Sequence, residues 1–292
     1  MKSVQCLISL FLLIPLFVNA STEAELTEEE QYLAWAESTW NSLNPKTGEI
    51  KLPNAVATLN VPDNFYYLSP KDTETVLVDI WGNPPGQTSL GMLFPSDMTP
   101  FDNHAWAVTI EYEEDGYVSD EDADEINYSE LLTQMQSDTR SASEERVKQG
   151  YAAIELVGWA SSPYYDAASH KLHWAKELKF ADSPVNTLNY NIRVLGRKGV
   201  LVLNFIAQID QKQLIEENLE SVLAIAEFDQ GSTYSDFNPD MDEVAAYGLG
   251  ALVAGKVIAK TGFFVAAIVF LKKFIIIFIV GIGAFLKRLF KK

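Results

Sequence analysis

The order of apolar and polar residues divides the chain into two apolar end segments and a mixed middle. One apolar run extends from Leu7 to Val18, and a longer one from Val244 to Leu286. Between them, apolar residues recur in short stretches, some at helical spacing and some in alternation. This pattern predicts a folded domain flanked by two segments that meet a membrane.

Helical spacing and capping signals predict helices in the middle of the chain. One contains Tyr32, Trp35 and Trp40, and another follows the predicted N-cap Asn127 and ends at Gly150. The predicted helices are the segment around 32–40 and residues 69–81, 128–148 and 211–228.

Stretches rich in β-branched and aromatic residues predict strands joined by short turns, one of them a hairpin turn at 196–199. The predicted strands are 49–61 (one or two strands), 65–68, 90–94, 106–112, 153–159, 171–179, 188–195 and 200–209. Such an order predicts an α+β domain with a mainly antiparallel sheet flanked by helices, followed by a transmembrane helical tail. This layout is similar to the sandwich of the Mog1 and PsbP proteins, a likeness of architecture that carries no function.

The first twenty residues have the pattern of a secretory signal peptide. Lys2 precedes the apolar run, and the ending Val18-Asn19-Ala20 precedes an acidic stretch, so cleavage is expected after Ala20. The single cysteine, Cys6, lies inside this segment. The mature chain therefore has no cysteine, which excludes disulfides, thiol nucleophiles and cysteine-ligated zinc.

The predicted tail, residues 244–292, is a hydrophobic and basic membrane anchor. A helix over residues 263–286 would rise about 36 Å, enough to cross a bilayer, but Lys272 and Lys273 near its centre make this span marginal. The alternatives are a span over 244–271 and a helical hairpin around Gly262.

The predicted anchor residues are Phe263, Phe264, Ile268, Phe274, Ile276, Phe278, Leu286, Lys287 and Arg288. Small residues at four-residue spacing (250/254, 251/255 and 255/259) would permit self-association.

Charge is divided along the chain. All 40 acidic residues but only 13 of the 22 basic ones lie in residues 21–243, the predicted extracytoplasmic domain, whereas the tail is purely basic. A segment this acidic is repelled by polyanions, which excludes nucleic acid as a partner. The basic end favours the cytoplasmic side of the membrane, so the acidic domain is expected to face outward.

Short strings spread over nearly the whole mature chain carry a family resemblance. They are Trp81-Gly82-Asn83-Pro84, Gly91 with Pro95, Gly116-Tyr117-Val118 with residues 120–123, Gly150-Tyr151, Gly158-Trp159 with Pro163-Tyr164-Tyr165-Asp166, Leu172-His173-Trp174-Ala175, Leu188-Asn189-Tyr190, Leu195-Gly196-Arg197, Gly231 with Tyr234 and Phe237, and Ala246-Tyr247-Gly248-Leu249. In these strings the chain resembles a family of bacterial membrane-anchored proteins known only as domain of unknown function 2167. The resemblance implies an anchored layout, here with the domain in the periplasm at the inner membrane, and supplies no reaction or ligand.

Two motifs have the residue types of metal sites, and neither supports one. His170 and His173, with Asp166 and Glu177 nearby, would point to opposite faces of the predicted strand, whereas zinc needs three convergent ligands. The acidic run 111–125 lacks the glycine and the last glutamate of a calcium loop. A solvated acidic loop is the expectation there, with weak divalent-cation binding as the alternative. No metal or cofactor is predicted.

Five residues are candidates for a small polar ligand: Tyr164, Tyr165, Asp166, Arg193 and Arg197. Roles in the core and in turns are the competing interpretation of these side chains. The expected function is a non-enzymatic binding or scaffold domain at the cell envelope, with the lipid bilayer and an envelope protein as partners. The alternative is an envelope hydrolase or transferase that acts through carboxylates such as Asp122 and Asp166.

Overall fold

The structure, a computed structural model, describes residues 27–52 and 57–255, which fall into two units divided after residue 41. The described part of the first unit is helix α1 (Glu28–Ser42) without its last residue. This helix begins at a capping box, because the Thr27 hydroxyl accepts the Glu30 amide and the Glu30 carboxylate accepts the Thr27 amide. The first predicted helix is confirmed.

The second unit contains the other helices and the strands of the described residues. Its α-helices are α2 (Pro70–Glu74), continued by a π-helical turn (Thr75–Ile80), α3 (Tyr128–Lys148), α4 (Lys212–Ile225) and α5 (Leu249–Ala254). Short 3-10 helices lie at Ala123–Glu125, Ile209–Gln211 and Tyr234–Asp236. Its strands are β1 (Gly48–Lys51), β2 (Ala57–Val61), β3 (Phe65–Leu68), β4 (Gly91–Pro95), β5 (Ala107–Glu113), β6 (Ile154–Asp166), β7 (Lys171–Phe180), β8 (Thr187–Leu195), β9 (Val200–Gln208) and β10 (Ala226–Phe228).

Seven strands form a large antiparallel sheet in the order β3-β4-β5-β9-β8-β7-β6, and β1, β2 and β10 form a small antiparallel sheet with β2 in the centre. The predicted hairpin turn is closed by the Gly196 amide, which donates to the Gly199 carbonyl at 2.9 Å. The α+β class with an antiparallel sheet flanked by helices is confirmed.

The back face of the large sheet, which we define by Val108, Ile192 and Leu203, carries the main hydrophobic core. Alternate residues of each strand point to this side and pack against the small sheet and α4. Helix α4 supplies Ile215 and Val222, both fully buried, from its apolar side.

The front face, which we define by Thr109, Asn191 and Asn204, is covered at both ends by helices. At the β6–β7 end, α3 and α5 enclose a second hydrophobic cluster around Trp174. At the β3–β4 end, α2 and its π-helical continuation lead to Trp81, whose ring lies 5.9 Å from that of Phe94. The middle of the front face, on β8 and β9, lies between these two covers.

Two predicted boundaries are wrong. The last long helix ends at Ile225 rather than at Phe228, because Ala226–Phe228 pairs with β2 as the outer strand of the small sheet. Pairing with β2 outweighs the helical periodicity of these residues. Strand β6 runs well beyond residue 159 to Asp166, through register shifts that are typical of β-bulges.

The start of the predicted tail is packed into the domain. Val244 forms a bridge with Tyr117, and α5 buries Leu249, Leu252 and Val253 in the second cluster. An apolar run is compatible with a protein core and with a bilayer. Hydropathy therefore could not locate the boundary between the domain and the tail. A span over 244–271 would have to withdraw these side chains from the core.

Among the described residues, no helix is both long and apolar enough to cross a membrane. The predicted signal peptide and the anchor residues between Phe263 and Arg288 lie outside the described residues.

Candidate functional site

Asp120 connects the acidic loop of residues 114–126 to the rest of the domain. Its carboxylate accepts the Tyr165 hydroxyl at 2.7 Å and the Tyr234 hydroxyl at 3.0 Å. His170 Nδ1 lies 3.1 Å from the Tyr165 hydroxyl. Burial acts to raise the pKa of Asp120, but the hydrogen bonds from the two tyrosines hold it below its usual range. Asp120 is therefore an ionised acceptor in a cluster that holds the loop in place.

Other carboxylates of the same loop hold the segment before α5. Asp115 accepts the Tyr247 hydroxyl at 2.7 Å, and Asp122 accepts the Leu249 amide at 3.0 Å. A Cβ at Gly248 would collide with the Asp122 carboxylate and push it away from the Leu249 amide. The prediction of a solvated acidic loop is wrong for Asp120 and Asp122, which are half-buried acceptors within the domain, whereas Asp115 is exposed as predicted.

The two histidines of the proposed metal motif face different surroundings. His170 lies in the turn before β7 and contacts Asp120 and Tyr165, whereas the His173 ring stacks on Tyr164 at 4.8 Å. Within residues 27–52 and 57–255, no group of three or more His, Cys, Asp or Glu side chains is placed to hold a metal ion.

The two tyrosines of the predicted ligand set diverge. They are neighbours on β6, so their side chains leave opposite faces of the sheet. Tyr164 is half exposed and stacks on His173, while Tyr165 reaches Asp120 on the other side. Asp166 ends β6 and accepts the Ser169 hydroxyl at 2.6 Å within the next turn.

The two arginines of the set lie apart as well. The Arg193 guanidinium lies 4.8 Å from the centre of the Trp174 ring, on the front face. Arg197, in the β8–β9 turn, donates to Asp242 at 2.7 Å, and this hydrogen bond lowers the pKa of Asp242. The structure thus distributes the five residues over both faces and two turns, and ligand binding by any one of them stays a prediction.

A row of polar side chains crosses the middle of the front face. Thr109, Asn204, Asn191 and Trp174 are successive cross-strand partners on β5, β9, β8 and β7. Thr109 Oγ1 and Trp174 Nε1 are buried and form no hydrogen bond with the described part of the chain. We call these four residues the polar row.

Asn189, on the same face, links the polar row to the next row of cross-strand partners, which we call a rung of the sheet. Its side-chain amide donates to Asn204 Oδ1 at 2.6 Å, and Asn191 donates to Asn189 Oδ1 at 3.1 Å. Three asparagines therefore form one hydrogen-bonded group on adjoining strands. Asparagine is depleted in strands because its side chain packs poorly on a pleated surface.

A cavity of about 480 Å³ opens over Asn189 and Asn204 of this group, and we call it the front cleft. The residues that define it are Trp81 and Asn83 on one side, Arg146 and Phe180 on the other, and Asn189 and Asn204 at the base. A volume of this size falls within the range of small-molecule pockets.

Arg146 is fixed at the rim of the front cleft. Its Nε donates to the Ala152 carbonyl at 2.9 Å. Its guanidinium also lies 5.2 Å from the centre of the Tyr151 ring and 5.9 Å from that of Phe180. The cleft thus combines apolar walls with a few fixed polar groups, which is typical of binding sites for small ligands.

The sequence interpretation missed this site. The available signal was Asn189 and Asn191, two residues apart in a predicted strand and therefore on one face. Asn204 and Thr109 could not be joined to them, because the order of strands in a sheet is not readable from local pattern.

The sequence profile of the family described as "Protein of unknown function (DUF2167)" matches residues 44–283. The chain belongs to DUF2167. The predicted family is thereby confirmed. Among curated proteins, no relative of this DUF2167 chain is matched.

One solved structure is similar in part, the solution structure of cyanobacterial PsbP (CyanoP) from Synechocystis sp. PCC 6803. The two chains are 11% identical, and the similarity covers 64% of this chain and 93% of the other, with a TM-score of 0.35. A similarity this distant adds nothing to the fold or function of the DUF2167 chain.

Proposed function

We propose that the chain is a membrane-tethered extracytoplasmic binding domain and that the front cleft is its binding site. The observation that carries the proposal is the polar row that continues from the base of the cleft. Buried polar atoms without partners cost about 1–3 kcal/mol each. Within residues 27–52 and 57–255, Thr109 Oγ1 and Trp174 Nε1 are two such atoms. Apolar side chains could fill these positions without that loss of folding free energy. A binding function for this face explains why the polar row is there instead.

The alternative, an enzyme, needs the carboxylates of Asp122 and Asp166, and both accept hydrogen bonds from nearby groups of the domain. Asp122 accepts the amide of Leu249 at the start of α5. Hydrogen bonds from Ser169 and Ala168 lower the pKa of Asp166, so this carboxylate is ionised and cannot donate a proton at neutral pH. These contacts favour the binding hypothesis over a carboxylate-based hydrolase or transferase.

The tether in this proposal is the basic, apolar segment of residues 256–292. Its composition supports insertion into the bilayer with the basic end in the cytoplasm and the domain in the periplasm. Two of the three small-residue pairs proposed for self-association, 250/254 and 251/255, lie in or beside α5 within the domain, where Gly250 faces Ile126. Self-association through the tail would therefore rest on the remaining pair, 255/259.

The cleft can be tested in living cells with a photoreactive amino acid. Placed at Gln87, an exposed residue at the cleft rim, it should give a reproducible adduct with a component of the cell envelope. The matched control is Glu220, an exposed position on α4. Equal adducts at both positions, or none at Gln87, would contradict the proposal. An adduct with a protein would identify the expected envelope partner.

A further inference from the structure

Lys176 is a cation on the front face without an acidic partner in the described part of the chain. It stands opposite Asn189 in the β7–β8 register, one rung from the polar row, and is half-buried. Among the described residues it forms neither an ion pair nor a hydrogen bond. Burial and, to a smaller extent, the positive charge of Arg193 together lower the pKa of Lys176 to about 8.

Arg193 is a second cation on the same face, one rung beyond the polar row on the other side. It stands opposite Leu172 and Val202 in the register, and its guanidinium lies over the Trp174 ring. The Arg193 guanidinium forms no ion pair within 4.0 Å of a described carboxylate. Glu111 and Glu113 attract it from a greater distance.

The position of these two cations is unusual for this chain. Between residues 21 and 243, acidic residues outnumber basic ones by 40 to 13, so carboxylate partners are abundant. Two like charges on neighbouring strands of one face repel each other, and their partial burial adds a desolvation cost. An anion bound between them would remove both penalties and accept charge-assisted hydrogen bonds.

We propose that Lys176 and Arg193 form a binding site for the oxyanion group, carboxylate or phosphate, of a small ligand held in the adjoining front cleft. This inference rests on the proposed function and names the chemistry of its ligand. The asparagine group beside the cations would meet the polar part of the same ligand through amide donors and acceptors. Trp81 and Phe180 would pack on its apolar part.

Calorimetric titration of the full chain in detergent at pH 7 tests the site, with inorganic phosphate, succinate and glycerol 3-phosphate as separate probes. At least one probe should bind, and the identity of the best one distinguishes carboxylate from phosphate. Lys176→Gln and Arg193→Gln should each weaken that binding about tenfold or more, because a hydrogen bond to a charged group is lost. Lys179→Gln is the matched control, since Lys179 is an exposed lysine on the same strand, and it should leave affinity unchanged.

The pH dependence of binding separates a direct contact from a structural role. Affinity should fall above pH 8, because Lys176 loses its charge there while the probes keep theirs. Lys176→Arg should still bind at pH 9.5, since guanidinium remains charged. The other groups that face the pair are Glu111, Glu113 and Tyr247, and burial raises the pKa of Tyr247 so that its hydroxyl stays neutral in this range.

Three outcomes would overturn the inference: no probe binds, Lys176→Gln binds as well as Lys179→Gln, or the affinity of Lys176→Arg falls above pH 8 like that of the wild type. A photoadduct at Gln87 combined with any of these results would leave the cleft as a binding site of different chemistry. Failure of both experiments would remove the proposed function as well.

Discussion

His173 is a buried base on the back face, and its ring makes the folded state sensitive to acid. Its side chain is 5% exposed, and Nδ1 has no hydrogen-bond partner among the described residues. Burial, with a contribution from Lys171, lowers the pKa of His173 to about 4. Between pH 6.5 and 4 the unfolded chain therefore binds a proton that the folded chain does not, so stability falls on acidification through this window.

We expect His173→Phe to keep the stacking on Tyr164 and to remove this pH dependence. The free energy of unfolding of the wild type should drop by about 3 kcal/mol more than that of the variant between pH 7 and pH 4. Urea unfolding followed by tryptophan fluorescence measures the difference. His104→Gln, at an exposed histidine, is the control and should behave like the wild type. Parallel pH profiles for wild type and His173→Phe would rule out a buried neutral His173.

Gly248 is the residue on which the junction between the acidic loop and α5 depends. Gly248→Ala would place a methyl group against the Asp122 carboxylate, so we expect a loss of about 1–3 kcal/mol in the free energy of unfolding. Gly250→Ala is the matched control, because its new Cβ would meet Ile126 at an ordinary contact distance of 3.8 Å. It should be neutral or stabilising by up to about 1 kcal/mol through helix propensity. If chemical unfolding showed the same loss of free energy of unfolding for both variants, the close contact between Gly248 and Asp122 would be refuted.

At the scale of elements, those with strong local signals were predictable. Helix α3 begins after its predicted N-cap, Asn127, and ends before Gly150, as predicted. An asparagine side chain can cap a helix, and a glycine can end one, without help from distant residues. Strand β10 and helix α5 were not predictable from local pattern, because each is stabilised by contacts with residues distant in sequence. For β10 that partner is β2, and for α5 it is the second hydrophobic cluster.

The cap of α3 gives a prediction at this scale. The Asn127 carboxamide accepts the amides of Ser129 and Glu130, both at 3.2 Å. Asn127→Ala should lower the free energy of unfolding by about 1 kcal/mol, whereas Asn127→Asp should retain it. Thermal and urea unfolding of the two variants measure the difference. A loss in Asn127→Asp as large as in Asn127→Ala would show that the cap hydrogen bonds contribute little.

At the scale of the whole molecule, family, fold class and charge division followed from the sequence, but the site did not. The five predicted ligand residues come from two separate segments of the chain, and the sheet sends their side chains in different directions. The polar row is assembled from four strands, so its members share a site only through the strand order β5-β9-β8-β7. Local pattern carries no information on that order.

The proposed tethered topology places the ends of two reporter fusions in opposite compartments. A periplasm-active reporter fused after Asp240 should be active, and a cytoplasm-active reporter fused after Lys292 should be active as well. Activity of a reporter after Asp240 only in the cytoplasm would end the extracytoplasmic assignment. Activity of the reporter after Lys292 only outside the cytoplasm would select the helical hairpin for the tail.

The most direct measurement of the binding site is anomalous diffraction from crystals of the full chain soaked in selenate, a tetrahedral oxyanion. The account predicts a selenium peak in hydrogen-bonding reach of both Lys176 Nζ and the Arg193 guanidinium, and loss of that peak in Lys176→Gln. A front face without the peak, with Lys176 paired to a carboxylate of the chain instead, would contradict it.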